Sequence, residues 1–268
     1  MRTTIHLLFC FIWLNGMAQS SKISESFTLK NGRKLYYEIY GQGDPLLLLH
    51  GYTLSSKSWI EFVNDYSAKY KVILVDLQGH GKSGSFDSDL SIKSVASEVD
   101  ELIQHLNFSS LSAIGFSFGG DVLFQLASSH PGLVKSFISI GACGFWNAKD
   151  FPNWIDWLSF KNIENLKYMY EHQSDENQIK KILDQLPNYS TSLTDEGARK
   201  IVSEILVVLG DKDDGIPLEY LARLRRNIPK CNIWILPNTG HGAHYGKNKN
   251  DFIKTSLAFL NGDWVQKK

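Results

Sequence analysis

Apolar residues fall along this chain in two alternating patterns. Short unbroken apolar runs occupy residues 45–49, 71–77, 111–114, 137–140, 205–209 and 232–236. Runs of that length and continuity suit strands covered on both faces. Between them lie segments with apolar positions at helical spacing, including a stretch ending near Tyr66, a helix over 92–106 and a closing helix over 251–260. Upstream, residues 26–30 and 33–40 flank Asn31-Gly32, a strong hairpin signal. In the second arm Leu35, Tyr37 and Ile39 alternate with Lys34, Tyr36 and Glu38, which predicts a half-exposed antiparallel strand. Strands alternating with helices predict an α/β chain with a mostly parallel eight-stranded sheet, right-handed crossovers and an antiparallel lead-in. No internal repeat or low-complexity linker interrupts it.

One region breaks this rhythm. Residues 144–204 contain no apolar strand run and instead carry amphipathic, aromatic-rich pieces with Trp146, Trp154 and Trp157 among them. Loops at the C-terminal edge of a parallel sheet are where ligands bind. The segment as a whole therefore reads as a lid with aromatic side chains lining an apolar pocket. For any single Trp or Tyr in it, the competing reading is the insert's own small core.

Composition narrows the function classes. The 268 residues carry 28 Lys+Arg against 28 Asp+Glu, so the net charge is zero and no basic tract offers itself to nucleic acid. No His, Cys or Asp pairs recur at metal-ligand spacing, and the dinucleotide Gly-x-Gly-x-x-Gly fingerprint is absent. Neither a cofactor nor a metal is expected, and nothing in the sequence sets an oligomeric state. At the N-terminus, Arg2 precedes an apolar run over 5–14, followed by small residues at Gly16, Ala18 and Ser20. Residues 1–20 thus read as a cleaved secretory signal, predicting a secreted or periplasmic protein. Phe9 before Cys10 is too bulky for a lipoprotein box. Cys143 follows one predicted strand and Cys231 precedes another, which puts them at opposite edges of the sheet and predicts two free thiols.

Chemistry concentrates at Gly115-Phe116-Ser117-Phe118-Gly119-Gly120. A buried strand turns here directly into a helix with Ser117 at the corner. Such a turn cramps the serine and demands very small residues two before and two after it. With this Gly-x-Ser-x-Gly elbow on the fifth strand, the chain resembles the α/β-hydrolase family, in its serine esterase and lipase-like branch, over about residues 26–262. The resemblance divides the chain into a core of 21–143 and 205–268 and a helical cap of 144–204 between the sixth and seventh strands.

The same resemblance assigns roles. Ser117 is the nucleophile. His241, in Asn238-Thr239-Gly240-His241 beyond the last strand, is the base, with His244 as competitor. The acid belongs after the seventh strand, where Gly210-Asp211-Lys212-Asp213-Asp214 fits the family pattern best at Asp213, although Asp214 stands where a Pro is usual. Asp150, after the sixth strand, is the other position. Oxyanion donors would be the backbone N–H of Phe118, at a helix N-terminus, and of Tyr52 in His50-Gly51-Tyr52. His50 reads as a hydrogen-bonding residue, and Asp76-Leu77-Gln78-Gly79-His80-Gly81-Lys82-Ser83 matches a family loop while lacking the nucleotide-binding spacing. Together these imply an exported hydrolase of a small or medium carboxylic ester, with Trp146, Trp154 and Trp157 against the substrate. Lactonase, aminopeptidase, carbon–carbon hydrolase and perhydrolase chemistry would use the same residues. A non-catalytic binding protein on the same fold is the remaining alternative.

Overall fold

A computed structural model describes residues 22–86, 89–191 and 193–264. The secretory-signal reading falls on residues outside these. Among the described residues, eight strands form one sheet in the order β1-β2-β4-β3-β5-β6-β7-β8. The hairpin is β1 (Ile23–Thr28) and β2 (Lys34–Tyr40), paired from Ile23↔Ile39 to Thr28↔Lys34. Then follow β3 (Asp44–Leu49), β4 (Tyr70–Val75), β5 (Leu111–Phe116), β6 (Val134–Ile140), β7 (Glu204–Gly210) and β8 (Cys231–Leu236). From β3 onward every pairing is parallel, while β2 joins β4 antiparallel.

The continuous apolar runs are explained by burial on both faces. Leu47, Leu49, Ile73, Val75, Ala113 and Phe137 point into one core. Their neighbours Leu46, Leu48, Val72, Leu74, Ile114 and Ile138 point into the other. Helices α2 (Ile92–His105) and α3 (Phe118–Ser129) pack on the first side. Helices α1 (Ile60–Ser67) and α9 (Lys249–Leu260) cover the second. Of the expected insert 144–204, residues 144–203 hold no named strand among the described residues and build α4 (Pro152–Trp157), α5 (Met169–His172), α6 (Glu176–Gln185) and α7 (Asp195–Arg199), while residue 204 already opens β7. An isolated bridge, Asn147↔Ser190, zips the ends of this insert into a neck. Between β7 and β8 runs α8 (Leu218–Asn227).

The half-exposed reading of β2 requires correction. Tyr36 and Glu38, expected to face solvent, are 7% and 5% exposed. The segment after β4 folds over Tyr36, whose N–H donates to Ser83 Oγ at 2.8 Å and whose ring centre lies 4.4 Å from the Lys82 ammonium. Glu38 accepts from the hydroxyls of Tyr36 (2.6 Å) and Tyr40 (2.5 Å) and pairs with Lys22. Alternation reports side-chain polarity, and here a polar cluster is buried because its members satisfy one another. Cys143 and Cys231 are both buried and free, as their positions predict.

Candidate active site

The corner between β5 and α3 carries Ser117 at φ 49°, ψ −111°, a left-handed conformation rare for a residue with a side chain. Three close approaches permit it. A Cβ on Gly115 would lie 2.5 Å from the Gly119 backbone, one on Gly119 2.4 Å from the Leu49 carbonyl, and one on Gly120 2.5 Å from Ser139 Oγ. Two hydrogen bonds fix the corner: Ser117 N–H to Ile140 O at 2.7 Å, and Gly119 N–H to His50 O at 3.0 Å. The N–H groups of Phe118 and Tyr52 have no protein acceptor among the described residues.

Beyond β8, His241 lies against the end of β6. Gly141 makes this possible, because a Cβ there would fall 2.9 Å from His241 Cε1. His241 Nδ1 is 2.8 Å from Asp213 Oδ2, so Nδ1–H donates to the carboxylate and Nε2 is left for a proton. The Asp213 side chain is 1% exposed and also accepts from the Gly215 N–H at 3.1 Å. Among the three aspartates after β7, only Asp213 reaches the imidazole. Asp211 instead accepts from the Thr239 N–H at 3.1 Å and steadies the loop that carries His241, whereas Asp214 and Asp150 are exposed.

His244, the competitor for the base, is structural, and so are His50 and His80. His244 is fully buried among Trp59, Phe62, Phe116, Tyr245 and Phe252, neither capping a helix nor facing the pocket. Burial pushes its pKa down to about 3. His50 accepts from the Leu77 N–H at 2.9 Å through Nε2, and its Nδ1 lies 2.8 Å from the Gly51 carbonyl. His80 does the same with the Thr53 N–H and the Gln78 carbonyl. Burial holds both near 3, so they are neutral scaffolding for the loop bearing Tyr52. Asp76 accepts from the N–H groups of Ser56 and Lys82, which accounts for its place in the glycine-rich segment.

Ser117 and His241 open into one cavity of about 260 Å³. Trp146, Trp154 and Trp157 all line it, with Tyr52, Tyr168 and Tyr189. Trp154 lies edge-on over His241, ring centres 5.2 Å apart. Other insert aromatics do not reach the cavity: Phe151 stacks on the back of Trp146, and Phe145 packs against Arg223 and Tyr220. The segment's aromatics thus divide between the cavity wall and the packing behind it. Among the described residues there is no group of three or more His, Cys, Asp or Glu placed to hold a metal ion.

Sequence reasoning missed Asp121, a turn beyond Ser117 and also on the cavity wall. An acidic residue in the first turn of a helix ordinarily reads as a partner of the helix dipole. Here it is 4% exposed and accepts from the Gly144 N–H (2.9 Å) and the Tyr189 hydroxyl (2.8 Å).

Residues 44–164 match the family model described as alpha/beta hydrolase fold. That match, the sheet order and the elbow give the chain the alpha/beta hydrolase fold. It is 31% identical to the (E)-2-((N-methylformamido)methylene)succinate hydrolase of Acinetobacter baylyi over 42% of this chain and 43% of that protein. It is 27% identical to Lipase 1 of Psychrobacter immobilis over 81% of this chain and 78% of the lipase. The chain therefore spans under half the length of the first relative and most of the second. Among solved structures, the enol-lactonase of Burkholderia xenovorans LB400 superposes with a TM-score of 0.76 at 17% identity, covering 88% of this chain and all of that one.

Burial pushes the Asp121 carboxyl up to about 7 from the ordinary 3.8, against the pull of its hydrogen bonds from Tyr189 and Gly144 and of His241. Tyr189, Cys143 and His241 are the titratable groups facing it. A raised folded-state pKa means that the folded chain holds the proton more tightly than the unfolded one. The stability it contributes is full below the unfolded pKa and is lost as pH rises through the folded one. The melting temperature of Asp121→Asn, relative to wild type, should therefore climb between about pH 4 and pH 7 and level off above about pH 8. A gap that stays constant over that range in thermal melts would contradict this.

Proposed function

We propose that the chain is a serine hydrolase that cleaves a small or medium carboxylic ester through an acyl-enzyme. The observation that carries the proposal is the corner serine opening into the same cavity as an imidazole whose far nitrogen is held by a buried carboxylate. In this reading, His241 Nε2 takes the Ser117 proton as Oγ attacks the carbonyl carbon. Asp213 fixes the imidazole's tautomer and stabilises the imidazolium. Negative charge developing on the carbonyl oxygen is met by the N–H groups of Phe118 and Tyr52, the first at the positive end of α3. His241 then returns its proton to the leaving alcohol and activates the water that releases the acid.

Three features support an ester with a compact apolar acyl group. The cavity wall is mainly aromatic and aliphatic, and its volume of about 260 Å³ falls just below the roughly 300–1,000 Å³ usual for drug-sized ligands. A serine nucleophile disfavours the dehalogenase and epoxide hydrolase routes, which need a carboxylate. One relative aligned over most of its length is named a lipase.

Hydrolysis of p-nitrophenyl esters from acetate to octanoate tests the proposal. Wild type should prefer short to medium chains, and Ser117→Ala should lose at least about 10³-fold in kcat with its melting temperature kept. Full activity in Ser117→Ala would refute the role of the elbow serine. Trp154→Ala, which uncovers His241 and enlarges the cavity, should shift the optimum towards longer chains. An equal loss on every ester would assign Trp154 to folding instead.

We also propose export through a cleaved leader, on the strength of Arg2 and the apolar run over 5–14. Expression of the full chain in a secreting bacterial host should yield a mature N-terminus near Gln19 to Ser21 outside the cytoplasm. Cytoplasmic protein beginning at Met1 would exclude that proposal.

A further inference from the structure

Asp121 is a buried acid that the proposed reaction does not use. Its two oxygens are taken by the two strands of the insert's neck: Oδ1 accepts from the Gly144 N–H on the way in, and Oδ2 from the Tyr189 hydroxyl on the way out. The neck is itself zipped, with Ala148 N–H donating to Tyr189 O and Thr191 N–H to Trp146 O, both at 2.9 Å. One carboxyl on the elbow helix therefore holds the base of the cap.

The Tyr189 ring held in this way does not stand apart from the chemistry. Its centre is 5.6 Å from the ring of Tyr52 and 5.6 Å from that of Phe118, which are 5.5 Å from each other. Those are the two residues with the free N–H groups. On the far side His80 closes the cluster, edge to Tyr52 and against Phe118. The Tyr52 hydroxyl is in turn anchored on the Ile182 carbonyl of α6 at 2.5 Å, so the cap grips that residue at its tip as well.

We propose that Asp121 and Tyr189 are positioning residues for the oxyanion hole: Asp121 clamps the cap's neck, and the Tyr189 ring it holds braces Tyr52 and Phe118. This rests on the serine-hydrolase reading. Its consequence is that the cap sets more than the size of the cavity. A cap shifted at its neck loosens both oxyanion donors, so full transition-state stabilisation requires the cap to be seated. Donors must lie within a few tenths of an ångström of where the oxyanion forms, and a misplacement of about 1 Å can cost 10²-fold.

Tyr189→Phe carries the test, because it removes one oxygen and keeps the ring. With p-nitrophenyl butyrate, kcat should fall about tenfold while KM moves less than about twofold, the pattern of an interaction made in the transition state. Binding of 1,1,1-trifluoro-2-octanone, which forms a tetrahedral oxyanion adduct on the serine, should weaken by the same factor as kcat/KM. Asp121→Leu should reproduce the loss, and Asp121→Asn should recover kcat to within about threefold of wild type, since its amide can accept from Gly144 and donate to Tyr189. If Asp121→Leu does not fold, Tyr189→Phe and Asp121→Asn decide alone.

The proposal is overturned if Tyr189→Phe keeps kcat within twofold, if only its melting temperature falls, or if the loss appears in KM alone. Stoichiometric labelling of wild type by a fluorophosphonate separates these failures from failure of the underlying reading. A wild type that is not labelled lacks an activated serine, and both proposals then fall together.

Discussion

The backbone strain at Ser117 is the constraint on which the rest of the structure depends. A non-glycine residue at φ 49° costs on the order of 1–3 kcal/mol and persists only where its surroundings over-determine it. The surroundings here are the ends of three strands. β6 supplies the acceptor for the Ser117 N–H, β3 runs on into the His50 carbonyl that takes the Gly119 N–H, and β5 delivers the serine itself. Lateral order in the sheet places β5 between β3 and β6, so the strained corner is braced from both sides by backbone that is itself buried. Each glycine around it is needed because a strand end or helix turn comes within about 2.5 Å of where a Cβ would stand.

The same edge of the sheet assembles the other groups by topology alone. Parallel strands end on the same side, so the loops after β3, β5, β6, β7 and β8 gather there, although up to about 190 residues separate them in sequence. The Asp213 and His241 loops are neighbours because β7 and β8 are neighbours, paired from Ile205↔Cys231 to Gly210↔Leu236. Lys212 N–H to Thr239 O and Thr239 N–H to Asp211 Oδ1 tie those loops together. The short reach of an Asp–His hydrogen bond is thus guaranteed by a strand register rather than by the two side chains.

Most of this was legible because it depends on local pattern. Continuous apolar runs announced strands buried on both faces, and the small residues around Ser117 announced the elbow. His241 and Asp213 were readable from their positions after the last two strands. What escaped depends on contacts between distant segments. Alternation in β2 could not reveal that residues 76–84 would fold over Tyr36, or that Glu38 would be buried against Tyr36, Tyr40 and Lys22. His244, three residues past His241, could not be separated from it by spacing, yet the turn between them drives its ring into the aromatic core. Asp121 looked like an ordinary first-turn acid, because nothing local foretells that Tyr189, 68 residues away, will donate to it.

Asp121 also shows why the cap cannot be treated as an independent module. Burying a carboxyl at the wall of a mainly apolar cavity is unfavourable unless donors compensate it, and both of its donors belong to the cap. Removing the cap would leave the acid facing the cavity at Ser117 with neither partner, while seating the cap satisfies the acid and completes the aromatic cluster around Tyr52 and Phe118. Variation in α4, which carries Trp154 and Trp157, can alter what the cavity admits while leaving the clamp at the neck intact. Variation at residues 144 and 189 cannot. The cap therefore divides physically into a neck tied to the chemistry and a brim that shapes the cavity, and substrate range is free to change mainly at the brim.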